Sequence, residues 1–388
     1  MKNEIAKGQQ YIMNTYGRFP LVLEKGEGMY VWDTNGKKYL DFVAGIATNS
    51  LGHGDAGLAN IVAEQAAALI HCSNLYWTMP QVEFAEKLIE ASCFDKVFFC
   101  NSGAEAIEGC LKLIRKYGST TGRYEIITMV NSFHGRTYGA VSATGQKKYQ
   151  QGFDPLLPGI SHVPFNDFEA LAAAITPKTA GIIIEPVQGE GGIVPADKTY
   201  LQKVRALCDE KDILLVFDEI QCGVGRTGKL FAFENYGVYP DICALAKGIA
   251  GGVPMGVMLA NAKTSSALQP GEHASTFGGN PLAAAAANVV FDRLASGLLD
   301  NVNKQAAYLA QALTKLKEEH SEIVDIRGVG LMQGIELLIP AAPVVQKCLE
   351  NGLLLVGAGA NVIRFVPALI VEECHIDEAV AILGEALK

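Results

Sequence analysis

Lys247 is the only charged residue in the apolar stretch from Ile242 to Ala260, set within ALAKGIAGGVPMG. Burial disfavours an ammonium and lowers its pKa toward the neutral amine that attacks carbonyl carbon, so Lys247 is a Schiff-base candidate. A lysine snorkelling to the surface from a helix end is the plainer alternative. Asp218, in Phe217-Asp218-Glu219-Ile220-Gln221, closes an apolar run, where open α/β sheets bind their ligands. A carboxylate there partners a metal, an arginine or a protonated ring nitrogen, unless it is simply solvated on a loop. Metal is the weakest of these, because no His or Cys cluster accompanies it. After the run KVFFC comes Asn101-Ser102-Gly103-Ala104 and then a helical pattern. A strand, a turn of small residues and a helix start leave free N–H groups that suit a phosphate, although a simple cap by Ser102 explains the same turn.

Arginine forks bind carboxylates in bidentate fashion, and three stand in distinctive contexts: Arg136 in SFHGRT, Arg364 in VIRF and Arg18 in Tyr16-Gly17-Arg18. Each alone is more often structural. Glu190, on the glycine loop Gln188-Gly189-Glu190-Gly191-Gly192, can pair with one of them or merely sit in a turn. Gly223-Val224-Gly225-Arg226-Thr227-Gly228 has the G-x-G-x-x-G form of the dinucleotide fingerprint. That fingerprint should open a helix and meet an acidic residue about 20 positions on, at the end of a second strand. KLFAFENYG follows instead, which disfavours a nicotinamide-dependent dehydrogenase.

The elements that hold these residues are legible in outline. KVFFC (96–100), EIITMV (125–130), GIIIEPV (181–187) and ILLVFDEI (213–220) read as strands buried on both faces. Alternating with helical patterns at 104–117 and 199–210, they predict an α/β fold with a mostly parallel sheet sandwiched by helices. Ile107, Cys110, Leu111 and Ile114 fall on one face of the first helix. The glycines and Pro254 of 242–260 argue against a membrane span and for a buried loop around Lys247. Asn35-Gly36 between GMYVWD and KKYLDF signals a hairpin. An alanine-rich helix after Pro281, interrupted at Ser296-Gly297, opens a C-terminal part, so the expected division is an arm at 1–46, a large domain at 47–284 and a small domain at 285–388.

Composition narrows the partners. The 388 residues carry 32 basic and 41 acidic side chains, a net charge of -9, with no Lys/Arg block to face a nucleic acid. Nine scattered cysteines without C-x-x-C spacing fit a reducing cytoplasm, and MKNEIAKGQQ lacks the apolar segment of a signal peptide.

An anion-binding helix start, a strand-end carboxylate, a buried lysine and carboxylate-binding arginines together describe pyridoxal 5'-phosphate chemistry. Almost the whole chain resembles the class III, fold-type I aminotransferases, the acetylornithine aminotransferases in particular. HCSNLY, NSGAEA, SFHGRT, EPVQGEGG, FDEIQCGVGRTGK, ALAKG and STFGGNP stand in that family's order. The resemblance implies that Lys247 carries the cofactor and later shuttles the substrate proton, and that Asp218 keeps the pyridine nitrogen protonated. It implies that Phe133 and Ile220 wall the ring and Gln221 meets its phenolic oxygen. Ser102, Gly103 and Ala104 would hold the phosphate, completed by Thr276 of a second subunit, so that a homodimer shares its active sites. Many members have threonine where Ala104 stands, which costs one hydroxyl contact but no backbone donor.

The same resemblance assigns the substrates. Arg136 would take the remote carboxylate of 2-oxoglutarate and Arg364 the one beside the keto group. Glu190 would neutralise Arg364 while N-acetylornithine, with one carboxylate, is bound. Tyr16 and Ser275 join the substrate site, and His134 and His53 are assigned no catalytic role. Ornithine, succinylornithine and 4-aminobutyrate are rival amino donors within the family. A catalytically silent scaffold is disfavoured, since it needs none of Lys247, Asp218 and Arg136.

Overall fold

The computed structural model describes residues 2–388. Seven strands form the central sheet: β1 (Lys96–Cys100), β2 (Glu125–Met129), β3 (Ile160–Val163), β4 (Thr179–Ile184), β5 (Leu214–Asp218), β6 (Ile242–Leu245) and β7 (Gly256–Ala260). Their order is β1-β7-β6-β5-β4-β2-β3. β7 pairs antiparallel with both β6 and β1, and the other pairings are parallel, so β7 alone runs against the rest. β4 to β7 are buried at every position, as a sheet covered by helices on both faces requires. Helix α1 (Gly103–Gly118) buries the predicted face of Ile107, Cys110, Leu111 and Ile114 against it.

The region around Lys247 corrects one expectation. Residues 242–260 are not a buried loop but two central strands, β6 and β7, joined by a short 3-10 turn at Lys247–Ala250 and a glycine-rich link. ICAL and GVMLA are short enough that the intervening breakers masked their strand character. β3 was not anticipated either, being brief and bounded by a polar face.

The Asn35-Gly36 signal marks a hairpin in the structure: Tyr30–Asp33 and Lys38–Asp41 pair antiparallel around Gly36 at φ +81. Lys38–Asp41 then pairs in parallel with Leu353–Leu354, joining the two ends of the chain. The helix Pro281–Arg293 packs against Ala56–Ala68 and Met79–Glu90, and non-helical backbone at Ser296 and Gly297 separates it from Leu299–Glu319. Pro281–Glu319 is long and apolar enough to cross a membrane by length and composition, but that kink and the packing of its first half mark it as a core element. A second small sheet contains β8 (Ile323–Val329), β9 (Met332–Leu337) and β10 (Val362–Phe365), paired antiparallel in that order.

Candidate active site

In a parallel sheet the carboxyl ends share one edge, and there the chemistry-bearing residues converge. β1 leads to Asn101–Ala104, β2 to Phe133–Arg136, β4 to Glu185, β5 to Asp218, Ile220 and Gln221, and β6 to Ala246 and Lys247. With Thr48 and Gly252–Met255 they line a single cavity of about 400 Å³. β7 supplies its amino end to the same edge. A Cβ on Gly256 would lie 2.2 Å from the Ser102 carbonyl oxygen, so only glycine lets β7 start beside the turn into α1.

Lys247 sits at φ +46, a left-handed conformation that a non-glycine residue adopts only when its surroundings impose it. Burial, reinforced by the charge of Arg364, lowers its pKa to about 8, against the opposing pull of Glu190, Asp218 and Glu185. Asp218 is buried, which removes the solvated-loop alternative. One of its oxygens accepts from the Ile220 N–H at 3.0 Å, and the other lies 2.7 Å from Nδ1 of His134. Burial opposes a charge on His134, yet the hydrogen bond and charge of Asp218 outweigh it and raise the pKa. His134 therefore orients the carboxylate, a role invisible in sequence because the pair is 84 residues apart. Glu185 was also missed. It accepts from the N–H groups of Phe133 and Gly189 at 3.0 and 3.2 Å, and burial raises its pKa to about 7. The signal that marked Asp218, an acidic residue closing a buried run, was present at Glu185 too.

Ser102 caps the helix, and its turn also lines the cavity. Its hydroxyl accepts from the Glu105 N–H at 3.3 Å, capping α1, while Gly103 and Ala104, whose first-turn N–H groups have no partner within the helix, line the cavity. Gly103 leaves room for Ile220, whose side chain would come within 2.8 Å of a Cβ there.

Arg364 is 1 % exposed, and its Nη1 donates to Glu190 Oε1 at 2.5 Å and to Gln221 Oε1 at 2.9 Å. Burial alone would raise the Glu190 pKa, but the Arg364 charge and hydrogen bond bring it below the usual value. Arg136 is exposed at the cavity and stacks over Tyr149, 4.0 Å from its ring centre, with no carboxylate partner among the described residues. Tyr16, Thr276 and Ser275 do not line this cavity. Tyr16 is exposed beneath Arg18, and Ser275 receives hydrogen bonds from Asn101 and the Gly278 N–H beside an exposed Thr276. Residues 12–20 are exposed throughout. His53 bonds Asp41 at 2.8 Å, away from the cavity. Gly223–Gly228 opens no helix, only a turn leading to the 3-10 segment Ala232–Asn235, so no dinucleotide site forms there.

Comparison with known proteins agrees with this geometry. Residues 11–387 match the family described as aminotransferase class-III. The chain is 52% identical over 98% of its length to the acetylornithine aminotransferase of Caldanaerobacter subterraneus, covering 98% of that protein. It is 54% identical over 97% of its length to that of Gloeobacter violaceus, covering 95% of it. Among solved structures, the N-acetylornithine aminotransferase of Stenotrophomonas maltophilia superposes with a TM-score of 0.85 at 38% identity, each chain covered to 98%. The ornithine aminotransferase of Toxoplasma gondii gives 0.94 at 33% identity, covering all of this chain and 94% of that one. With Lys247, Asp218 and the start of α1 at one sheet edge, the chain belongs to the class-III aminotransferases, which are pyridoxal-phosphate-dependent transaminases of mixed α/β fold.

Proposed function

We propose that this aminotransferase moves the terminal amino group of N2-acetyl-L-ornithine to 2-oxoglutarate, giving N-acetyl-L-glutamate 5-semialdehyde and L-glutamate, as a step of arginine biosynthesis. The observation that carries it is the state of the two arginines. Arg364 is already neutralised by Glu190, whereas Arg136 stacks on Tyr149 and has no carboxylate partner among the described residues. A donor with one carboxylate engages Arg136 alone. A dicarboxylate acceptor engages both, once Glu190 turns away.

The cavity fits the cofactor: it offers a lysine near neutrality, a buried carboxylate, an aromatic and an aliphatic wall, and helix-start N–H groups. Pyridoxal 5'-phosphate, when bound, supplies an electrophilic carbon and an electron-withdrawing ring. Lys247 Nζ would hold it and take the proton from the amino-bearing carbon of the substrate. Asp218, oriented by His134, would keep the ring nitrogen protonated, between Phe133 and Ile220. Gln221 Nε2 would reach the phenolic oxygen, its Oε1 being used by Arg364. Gly103 and Ala104 N–H groups and Ser102 would hold the phosphate, without the hydroxyl that threonine at 104 would add. Ser275 would join the substrate site.

The active unit in this reading is a homodimer in the cytoplasm, with Thr276 and Tyr16 serving the site at the subunit boundary. Leu75, Trp77 and Phe277 support it, exposed by 81%, 89% and 59% in the single chain, far more than an isolated soluble surface favours. Residues 1–46 and 285–388 are read together as the small domain, supported by the parallel pairing of 38–41 with 353–354.

The test is the absorbance of the cofactor-loaded protein before and after N-acetylornithine is added without keto acid. Conversion of the lysine-linked band to the amine form supports cofactor, reaction and donor together. An unchanged band with N-acetylornithine, but conversion with succinylornithine, ornithine or 4-aminobutyrate, refutes the donor assignment.

A further inference from the structure

The glycine motif that holds no nucleotide has another use. Arg226, at its centre, is 2 % exposed and has no carboxylate partner among the described residues. Its Nη1 donates to the carbonyl oxygens of Leu331 at 3.2 Å and Pro367 at 2.5 Å. Burial lowers its pKa to about 9, so these carbonyls carry the task of compensating its charge. β9 and β10 pair with Gln333 opposite Phe365 and Gly334 opposite Arg364. Continued by two residues, that register sets Leu331 opposite Pro367. Proline has no N–H to donate there, so the ladder stops, and the guanidinium bridges the two carbonyls in its place.

The other side of this clasp is rigid. Arg226 also accepts the Leu331 N–H on its own carbonyl at 2.9 Å. Gly330, at φ +62, comes so close that a Cβ would lie 2.5 Å from that carbonyl oxygen. A run of turn bonds, Gly223 N–H to Glu219 and Arg226 N–H to Gly223, leads back to the end of β5. Glu219 secures the loop's far end by accepting from the Ala232 and Phe233 N–H groups at 2.6 and 2.7 Å.

We infer that Arg226 is a positioning residue for Arg364: it closes the end of the β9–β10 pair and thereby sets the carboxylate-binding arginine against Gln221, Glu190 and the Asp218 edge. The inference rests on Arg364 binding a substrate carboxylate, and the experiment separates the two claims. The probe is glutarate, a dicarboxylate that cannot react, titrated calorimetrically into the cofactor-loaded enzyme and paired with steady-state kinetics for 2-oxoglutarate. Arg226→Gln is expected to weaken glutarate about 10-fold or more and to raise the 2-oxoglutarate KM by a similar factor. The lysine-linked absorbance band and kcat should change little. Arg226→Lys should recover part of the loss, since its ammonium keeps the charge and the donors but sits on a stem one bond shorter than the one that carries Nη1. Gly330→Ala, which pushes the same junction apart from the other side, should reproduce it. Parental glutarate affinity in Arg226→Gln and Gly330→Ala, even with a lowered Tm, overturns the inference and leaves Arg226 a packing residue. If Arg226→Gln does not fold, Gly330→Ala decides by the same criterion. If Arg364→Ala itself leaves glutarate binding intact, the assignment of Arg364 fails instead.

Discussion

Replacing Glu190 by glutamine tests whether charge at one side chain sorts the two substrates. Stripping a buried ion of its partner costs about 3 to 5 kcal/mol. That figure is an upper bound here, because Arg364 keeps Gln221 Oε1 at 2.9 Å and Glu190 is itself 22% exposed. The new amide also retains one acceptor oxygen. What disappears is the charge assistance of one hydrogen bond, roughly 1 to 2 kcal/mol, or about a tenfold effect. Its direction is asymmetric. With a single-carboxylate donor in the site, Arg364 of the variant is left under-neutralised, so kcat/KM for the N-acetylornithine half-reaction should fall about 10-fold. With 2-oxoglutarate, no ion pair has to open before the carboxylate binds, so that half-reaction should fall less or gain. Stopped-flow absorbance in single turnovers measures the two halves separately. Losses by one common factor in both would refute the switch. The Glu190 pKa is depressed, so its contribution is present above the ordinary carboxylate value and is lost only as pH falls through the lower folded one. In the parent enzyme, the ratio of the two half-reactions should therefore be flat between about pH 6 and 9 as far as this pair is concerned.

Three further outcomes are expected. Lys247→Met should abolish turnover yet stabilise the cofactor-free protein at neutral pH. The folded pKa of about 8 lies below the unfolded value, so the lysine's penalty is fully present below pH 8 and vanishes as pH rises toward 10.5, and the difference in thermal midpoint should shrink over that window. Its size is at most about 3 kcal/mol. Asp218→Asn should keep the lysine-linked band but lose roughly 10²- to 10⁴-fold in kcat, and near-parental kcat would remove the ring-nitrogen role. Trp77→Arg should yield monomers by light scattering with little activity, whereas an unchanged mass would refute the proposed dimer surface.

How much of this was legible follows the physics of each signal. The runs at 96–100, 125–130, 181–187 and 213–220 are strands in place because a strand buried on both faces needs unbroken apolar residues, a local property. β6 and β7 were missed because the breakers that let the chain turn at Lys247 lie only a few residues from each strand. Lys247 and Asp218 were readable as charges in apolar surroundings, where composition alone reports an anomaly. Glu185 carried the same mark and was passed over among the residues of its glycine loop.

Partnership was not readable. His134 meets Asp218, Glu190 meets Arg364 across 174 residues, and Arg226 meets carbonyls 105 and 141 residues away. For Glu190 and Arg364 only the family resemblance anticipated the pair. No local pattern encodes such contacts, because they depend on which strand ends the sheet order brings to one edge. The Gly223–Gly228 motif shows the difference most plainly. Its glycines announce tight turns and close backbone approach, which the local chain dictates wherever it lies. What approaches, a phosphate or the β8–β9 turn, is decided only when distant segments pack and bury the Arg226 guanidinium against two carbonyls.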